Sequence, residues 1–522
     1  MPETVWACDV AAGHYGGHPG LVYEGGPSTF GDLMAGTGRW TDRTFLVHGD
    51  RRITFAEFRD AVQSAREMLV EFGICGGDRV MVFGYNTPEW VAALWATWLS
   101  DAVPVLANRW WSAQEIEHAV DLLAVRHVLA DTALPVRTST SPLADLRAAF
   151  EHPPVRPPAS QTELALDAPA LILFTSGSSG MPKAVELSRR SVIANQHNIL
   201  CRSGRLPHLL DVSSPQAVSL ATTPMFHVGG LSSLLTHFLT GGKIVMTESR
   251  FDARQVLGLI EREGVQVWGA VPTMAVRVLA HPEFDSFDLS SLKSWPLGGA
   301  PVTTDLLDRI RAKVPSLRTR GLSNTWGMTE AGGFLTAADS RDLTVHPGTV
   351  GRPYPVVELR IADPDDRGVG EVLARAPTVM LGYVGMPEDQ SIDDDGWLHT
   401  GDLGHLTDDG YLYIDGRSKD IVIRGGENIA CPHVEAAIAT HPAVVEVAAM
   451  GVPHADVGEE LVAVVVHRPD APAPTEEELR NHLDGAVSYF AIPSRWEIRS
   501  DPLPTLAGEK VDKKALASRF TT

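Results

Sequence analysis

The sequence predicts an α/β protein of more than one domain that ends in a compact α+β unit. Three observations predict it. Helix-period and strand-like apolar segments alternate through the first half of the chain, the pattern of helices packed on a sheet. The chain has 522 residues, and a single core usually stops growing beyond roughly 250–300 residues. After residue 416 the pattern changes to short strands and helices able to close a unit of their own.

The elements follow in order. Thr54 and Glu57 form a capping-box pattern ahead of Phe55, Phe58, Val62, Ala65, Leu69 and Phe72, which recur near the helical period, and Gly73 supplies a stop. Apolar runs from Val80 to Phe83 and from Val103 to Leu106 read as strands, with a helical stretch from Glu89 to Leu99 between them. Pro153 to Pro158 reads as a surface connection before a strand from Ala170 to Phe174. Near residue 416, a strand from Tyr411 to Ile414 meets Asp415-Gly416, and Arg417 to Asp420 then leads into a strand from Ile421 to Ile423. That polar junction is the strongest domain boundary in the chain and reads as a hinge. Beyond it come a helix around Val434 to Ile438, strands from Val444 to Met450 and from Leu461 to Val466, and a capped helix starting near Thr475.

Composition excludes several classes of function. With 44% hydrophobic and 21% charged residues the chain can bury a core. Its formal charge of −21 repels phosphate backbones and anionic headgroups, so nucleic acid and bare membrane are poor partners. The longest apolar run, Val91 to Leu99, is too short to span a bilayer of about 30 Å, so no integral membrane segment is expected. Cys8, Cys75, Cys201 and Cys431 lie far apart, without zinc spacing or a dense disulfide pattern. The N-terminus does not read as a signal peptide, and a cytoplasmic location is expected.

The chemistry begins at Thr175-Ser176-Gly177-Ser178-Ser179-Gly180-Met181-Pro182-Lys183, directly after an apolar strand. Glycines let backbone N–H groups approach phosphate oxygens, hydroxyls donate further hydrogen bonds, and lysine adds charge. It is not a Walker loop, because Met181 and Pro182 separate Gly180 from Lys183. By itself such a Ser/Gly tract is more often a flexible connection. Further motifs follow it in order, however: Thr223-Pro224-Met225-Phe226-His227-Val228-Gly229-Gly230, Gly298-Gly299-Ala300-Pro301, Asn324-Thr325-Trp326-Gly327-Met328-Thr329-Glu330, His399-Thr400-Gly401-Asp402, Gly416-Arg417-Ser418-Lys419-Asp420 and Arg424-Gly425-Gly426-Glu427.

This ordered set resembles the adenylate-forming superfamily, and in particular its acyl-CoA synthetases, over nearly the whole chain. The resemblance implies a large N-terminal adenylation domain of layered α/β sheets over residues 1–416, a small mobile C-terminal α+β domain over 417–522, and a hinge near Lys419. It implies that Thr175 to Gly180 and Lys183 hold the nucleotide phosphates and that His227 gates the acid pocket beside the substrate carboxylate. Gly298, Gly299 and Ala300 would lie against adenine, and Asn324 would read the adenine edge. Trp326 would stack on the ring beside Gly327, Thr329 would meet the α-phosphate, and Glu330 would hold Mg²⁺. Asp402 would bind the ribose hydroxyls and Arg417 would sit near ribose and phosphate, with Gly425 and Gly426 facing the thiol cofactor; those two glycines read equally as a tight hairpin.

Two departures stand out. The family's C-terminal Leu-Pro-Arg-Thr-x-x-Gly-Lys stretch is here Leu503-Pro504-Thr505-Leu506-Ala507-Gly508-Glu509-Lys510. It keeps the catalytic lysine, Lys510, but places Glu509 where glycine is usual, so the neighbouring carboxylate either competes for the lysine or orders it. Asn108-Arg109-Trp110-Trp111 carries paired tryptophans where the family has Asn-Pro, and these serve either packing or a pocket wall. The resemblance implies an enzyme that uses ATP, Mg²⁺ and CoA to convert a small-molecule acid into an acyl-adenylate and pyrophosphate, then a thioester. The alternatives are another acceptor (a carrier-protein thiol, an amine, or diazotase-like use of nitrite) and a nucleotide-binding protein without turnover. The sequence is silent on oligomeric state and on which acid is activated.

Overall fold

The computed structural model describes residues 5–520 apart from 153, 155–163, 177–180, 249, 418–420, 425–426, 455–456, 470, 485, 488 and 507–508. Most of the expected Pro153 to Pro158 connection, and Lys419, lie outside the described residues. A large N-terminal domain and a smaller C-terminal domain together form a mixed α/β protein.

The large domain is built on two sheets with a largely parallel centre. One runs, in spatial order, through Gly382–Tyr383, Pro182–Ser188, Pro169–Ser176, Val103–Ala107, Arg79–Phe83, His127–Ala130 and Thr140–Pro142. The other runs through Val267–Trp268, Val218–Ala221, Lys243–Met246, Thr44–His48 and Arg51–Thr54. Helix Phe55–Glu71 forms where the capping box predicts it, and both reciprocal bonds of the Thr54/Glu57 box are present. The expected second helix spans Pro88–Leu99, with Thr87 as N-cap and Pro88 in the first turn, where its missing N–H is harmless.

That helix carries no single polar face, and it is buried nearly all round, as an apolar helix inside a large core must be. Trp90, Trp95 and Trp98 are at most 1% exposed. Trp95 packs on Phe238 with ring centroids 4.4 Å apart, Trp98 stacks on Phe30 at 4.3 Å, and the Trp98 indole N–H donates to the Ala170 carbonyl at 2.7 Å. The core thus grips the strand that leads into the Ser/Gly loop.

Two further sheets complete the cleft. Leu322–Met328 pairs with Trp295–Gly298 and Gly333–Ala338, and Leu398–Leu406 pairs with Gly370–Arg375 and Leu412–Arg417. Here the structure corrects the sequence reading: the strand expected to end at Ile414 runs on through Asp415-Gly416. The strand continues to Arg417, because the ladder extends far enough to place Arg417 opposite Asp402, where the two side chains form an ion pair.

In the C-terminal part, Val444–His454 and Gly458–His467 pair antiparallel, flanked by Ile421–Arg424 and, in parallel, Arg495–Arg499. Helices Cys431–Ala439 and Glu476–Leu483 accompany this sheet, the latter with the expected Thr475 cap. The cysteines also differ from expectation: Cys8 and Cys201 form a disulfide with Cα atoms 5.7 Å apart. Their separation of 193 residues leaves no spacing pattern to read.

Candidate active site

A cleft of ≈ 3160 Å³ collects most of the residues singled out by the motifs. Thr175 lies one residue from the end of strand Pro169–Ser176 and Lys183 one residue from the start of Pro182–Ser188, and the two stand opposite each other in an antiparallel pair. The hairpin therefore presents a hydroxyl and an ammonium group on either side of the Ser/Gly loop. Gly177, Ser178, Ser179 and Gly180, and the Ser176 side chain, lie outside the described residues.

The short strand Gly382–Tyr383 adds a residue the motifs did not reveal. Tyr383 pairs with Val185, hydrogen-bonds Thr175, and donates from its hydroxyl to Glu330 Oε1 at 2.8 Å. The Lys183 ammonium sits over its ring, 4.5 Å from the centroid. Burial, with the Glu330 carboxylate beside it, pushes the Tyr383 phenol well above its ordinary pKa, so it remains a hydrogen-bond donor.

Glycines at the cleft have steric reasons. A Cβ on Gly298 would meet the Thr325 hydroxyl at 2.5 Å, and one on Gly327 would meet the Gly333 carbonyl at 2.1 Å, so neither strand tolerates a side chain. Gly299 has φ +75° and, with Ala300, lines the cleft wall facing Lys510. Asn324 is buried, and its amide donates to the Thr349 carbonyl at 3.1 Å, which fixes the side chain at the cleft wall. Thr329 lines the cleft next to Glu330, which is 8% exposed.

Asp402 is 3% exposed and doubly held. The Trp326 indole N–H donates to its Oδ2 at 2.7 Å, and Arg417 Nε donates to its Oδ1 at 2.7 Å. Tryptophan at position 326 therefore supplies an orienting donor to the carboxylate in addition to an aromatic face. His227 caps helix Val228–Leu239 at its N-terminus and lies against Phe226, with ring centroids 4.7 Å apart. Phe226 meets Trp110 edge-on at 5.6 Å, and Trp111 meets Phe174 edge-on at 4.6 Å. The tryptophan pair thus both packs and lines the cleft.

Lys510 enters this cleft from the C-terminal part, its Cε 3.8 Å from the position a Cβ on Gly299 would occupy. Water reaches the side chain along the open cleft, yet surrounding protein desolvates the ammonium and, with Arg417 nearby, lowers its pKa, while Glu330 and Asp402 act the other way. Gly425 and Gly426 lie outside the described residues; the strands on either side of them pair with Arg424 opposite Glu427. Tyr383 could be sought only as a Gly-Tyr pair after a buried stretch, a signal too common to use.

A layered α/β domain joined to a small C-terminal domain, with a hydroxyl-and-lysine hairpin, an acidic cleft wall and a lysine reaching the cleft from the C-terminal part, defines an adenylate-forming enzyme. The chain belongs to the AMP-binding enzyme family: the model of that description matches residues 35–384, and the model described as the AMP-binding enzyme C-terminal domain matches 433–509. It is 33% identical over 509 residues to a feruloyl-CoA synthase of Amycolatopsis sp, covering 93% of this chain and 99% of the relative. Among solved structures, ATP-bound MatB from Rhodopseudomonas palustris aligns with a TM-score of 0.81 at 27% identity, over 94% of this chain and 98% of that one. The o-succinylbenzoate CoA synthetase MenE from Bacillus subtilis, in complex with its acyl-adenylate, aligns with a TM-score of 0.76 at 25% identity, over 94% and 98%. The activity is that of an AMP-forming acid–CoA ligase using ATP and CoA, and the relatives support this reading, not the other acceptors or the non-catalytic alternative.

Proposed function

We propose that the chain activates an aryl or arylalkenyl carboxylic acid as its adenylate at the Lys510 cleft and transfers the acyl group to CoA. The supporting observation is the meeting of Lys510 with Glu330, Asp402 and Arg417, which brings four separate segments to one cleft. In the first half-reaction an anionic carboxylate approaches an anionic α-phosphate. Lys510 lies between the two oxygens and offsets their repulsion, a role whose loss costs about 10²–10³-fold in comparable sites. Asp402, held by Trp326 and Arg417, accepts from the ribose hydroxyls. Thr175, Lys183 and the Ser/Gly loop orient the leaving pyrophosphate, and Thr329 orients the α-phosphate.

Mg²⁺ belongs to this reading. Glu330 offers a single hard carboxylate fixed by Tyr383, which fits an ion that arrives mostly coordinated by phosphates and water. When bound, it neutralises charge on the leaving phosphates. The domain limits 1–416 and 417–522, the hinge at Lys419 and the thiol-facing role of Gly425 and Gly426 belong to it too: rotation about the hinge would withdraw Lys510 and bring the Gly425-Gly426 segment to the adenylate. Cytoplasmic placement follows from the use of ATP and CoA, and the Cys8–Cys201 bond would there be open to thiol exchange.

The aromatic preference rests on Trp110 and Phe226, which divide the cleft from a side cavity of ≈ 40 Å³ also lined by Tyr85 and Met274. Pyrophosphate release with magnesium-ATP across a panel of aryl, arylalkenyl and fatty acids, with and without CoA, tests the proposal. Release and thioester formation are expected to be strongest with a planar aromatic acid. Equal or better turnover of saturated fatty acids would overturn the substrate class.

A further inference from the structure

Glu509, the residue that replaces the family's glycine beside Lys510, has φ +62°. That left-handed conformation suits glycine and strains a glutamate, and such strain persists only where surroundings impose it. The surroundings here come from helix Pro272–Leu279 of the large domain. Thr273 and Arg277 lie one helical turn apart and so share a face. Thr273 Oγ1 donates to the Glu509 carbonyl at 2.5 Å, and Arg277 Nη1 donates to the Glu509 carboxylate. The same guanidinium reaches Glu446 Oε1 at 3.4 Å from Nε and the Leu503 carbonyl at 3.4 Å from Nη2. Glu446 Oε2 in turn accepts from the Leu503 N–H at 2.8 Å, and Thr505 Oγ1 donates to Glu509 Oε2 at 3.3 Å. One arginine of the large domain therefore grips three points of the C-terminal domain around the lysine loop. The side chains of Arg277 and Glu509 are only 23% and 22% exposed and that of Glu446 only 6%, so the clasp is partly shielded from water.

We infer that the Arg277–Glu509–Glu446 clasp is a latch that holds Lys510 in register for adenylation and has to open before the thiol step. This rests on the assignment of Lys510 to adenylation. Arg277 and Glu509 are positioning residues: they touch neither acid nor nucleotide in this reading, but set where the lysine stands and how readily the small domain leaves. A glycine at this point would satisfy the turn without strain. Here the strained glutamate is retained with a carboxylate that reaches the arginine.

The test uses the full chain and separates the half-reactions. Acid-dependent ATP–pyrophosphate exchange reports adenylation, and CoA thioester formation from supplied acyl-adenylate reports transfer; ferulate and feruloyl-adenylate are the first probes, replaced by whichever panel acid releases pyrophosphate best. Arg277→Gln and Glu509→Gln are each expected to slow exchange about tenfold, the scale of one charge-assisted hydrogen bond, while transfer stays level or quickens. Glu509→Gly, with a relaxed backbone but no carboxylate, should be as slow in exchange as Glu509→Gln. The double variant should be no slower than Arg277→Gln alone, since the Glu509 carboxylate acts through the arginine, and Arg277→Lys should recover part of the loss. Unchanged exchange in both single variants, a parallel fall in both half-reactions, or additive losses in the double variant would overturn the latch. Lys510→Ala run alongside tests the underlying assignment separately: wild-type exchange in that variant removes the lysine's role, and the latch with it.

Discussion

In the proposed adenylation step Lys510 supplies positive charge from an environment that disfavours it. Desolvation and the Arg417 guanidinium lower its pKa, with Glu330 and Asp402 only partly opposing them. The sign follows directly: the ammonium is the working form, so adenylation is full below the lowered pKa and declines as pH rises through it. The alkaline limb of the pyrophosphate-release rate, measured without CoA, should therefore fall below an ordinary lysine's range. In Lys510→Arg that limb should disappear, whatever the residual rate, because a guanidinium stays protonated. An identical limb in both proteins would assign it to another group. At this scale the sequence was informative wherever chemistry was local: Thr175, Glu330, Asp402 and Lys510 each sit in a short recognisable motif and reach one cleft. Arg277 and Tyr383 were invisible because their partners lie 232 and 53 residues away, at Glu509 and Glu330, and neither occupies a patterned segment.

Helices and strands were legible for the same reason, since capping boxes and apolar periods are encoded within a few residues. Helix Pro88–Leu99 shows what such a period does not convey. Its sequence reads simply as apolar, whereas its function is to support the strand Pro169–Ser176 through the Trp98 bond to Ala170. Trp95, at 0% exposed, fills the space between this helix and Phe238. Trp95→Ala should cost about 3–5 kcal/mol of stability, the usual range for emptying a large aromatic site, read as a lower denaturant midpoint. A loss within experimental scatter would mean that neighbouring side chains collapse into the space. The end of strand Leu412–Arg417 was misread because Asp-Gly is a strong turn signal. The Asp402–Arg417 pairing across the ladder prevailed over that local preference.

For the molecule as a whole, the presence of a large N-terminal and a smaller C-terminal domain was legible in the change of pattern along the chain, but their mutual grip was not. The Cys8–Cys201 bond was equally hidden, and it makes the N-terminal hairpin Val10–Tyr15/His18–Tyr23 part of the large domain. Trp6 and Tyr23 pack on His197 at 4.9 and 4.0 Å, and the Tyr23 hydroxyl donates to Asn198 at 2.8 Å, so the bond reinforces a contact already made by side chains. Cys8→Ser should lower stability by about 2–4 kcal/mol, as loss of a long covalent loop does, and added reductant should lower the melting midpoint of the wild-type protein but not of the variant. Equal midpoints with and without reductant in the wild type would show the thiols unpaired in solution. The bond has one more consequence. Residues 8–201 form a covalently closed ring that contains the entire Ser/Gly loop. A single protease cut anywhere in that ring therefore releases no fragment: the nicked molecule keeps its full mass until the sulfur bridge is reduced, and only then separates into two chains.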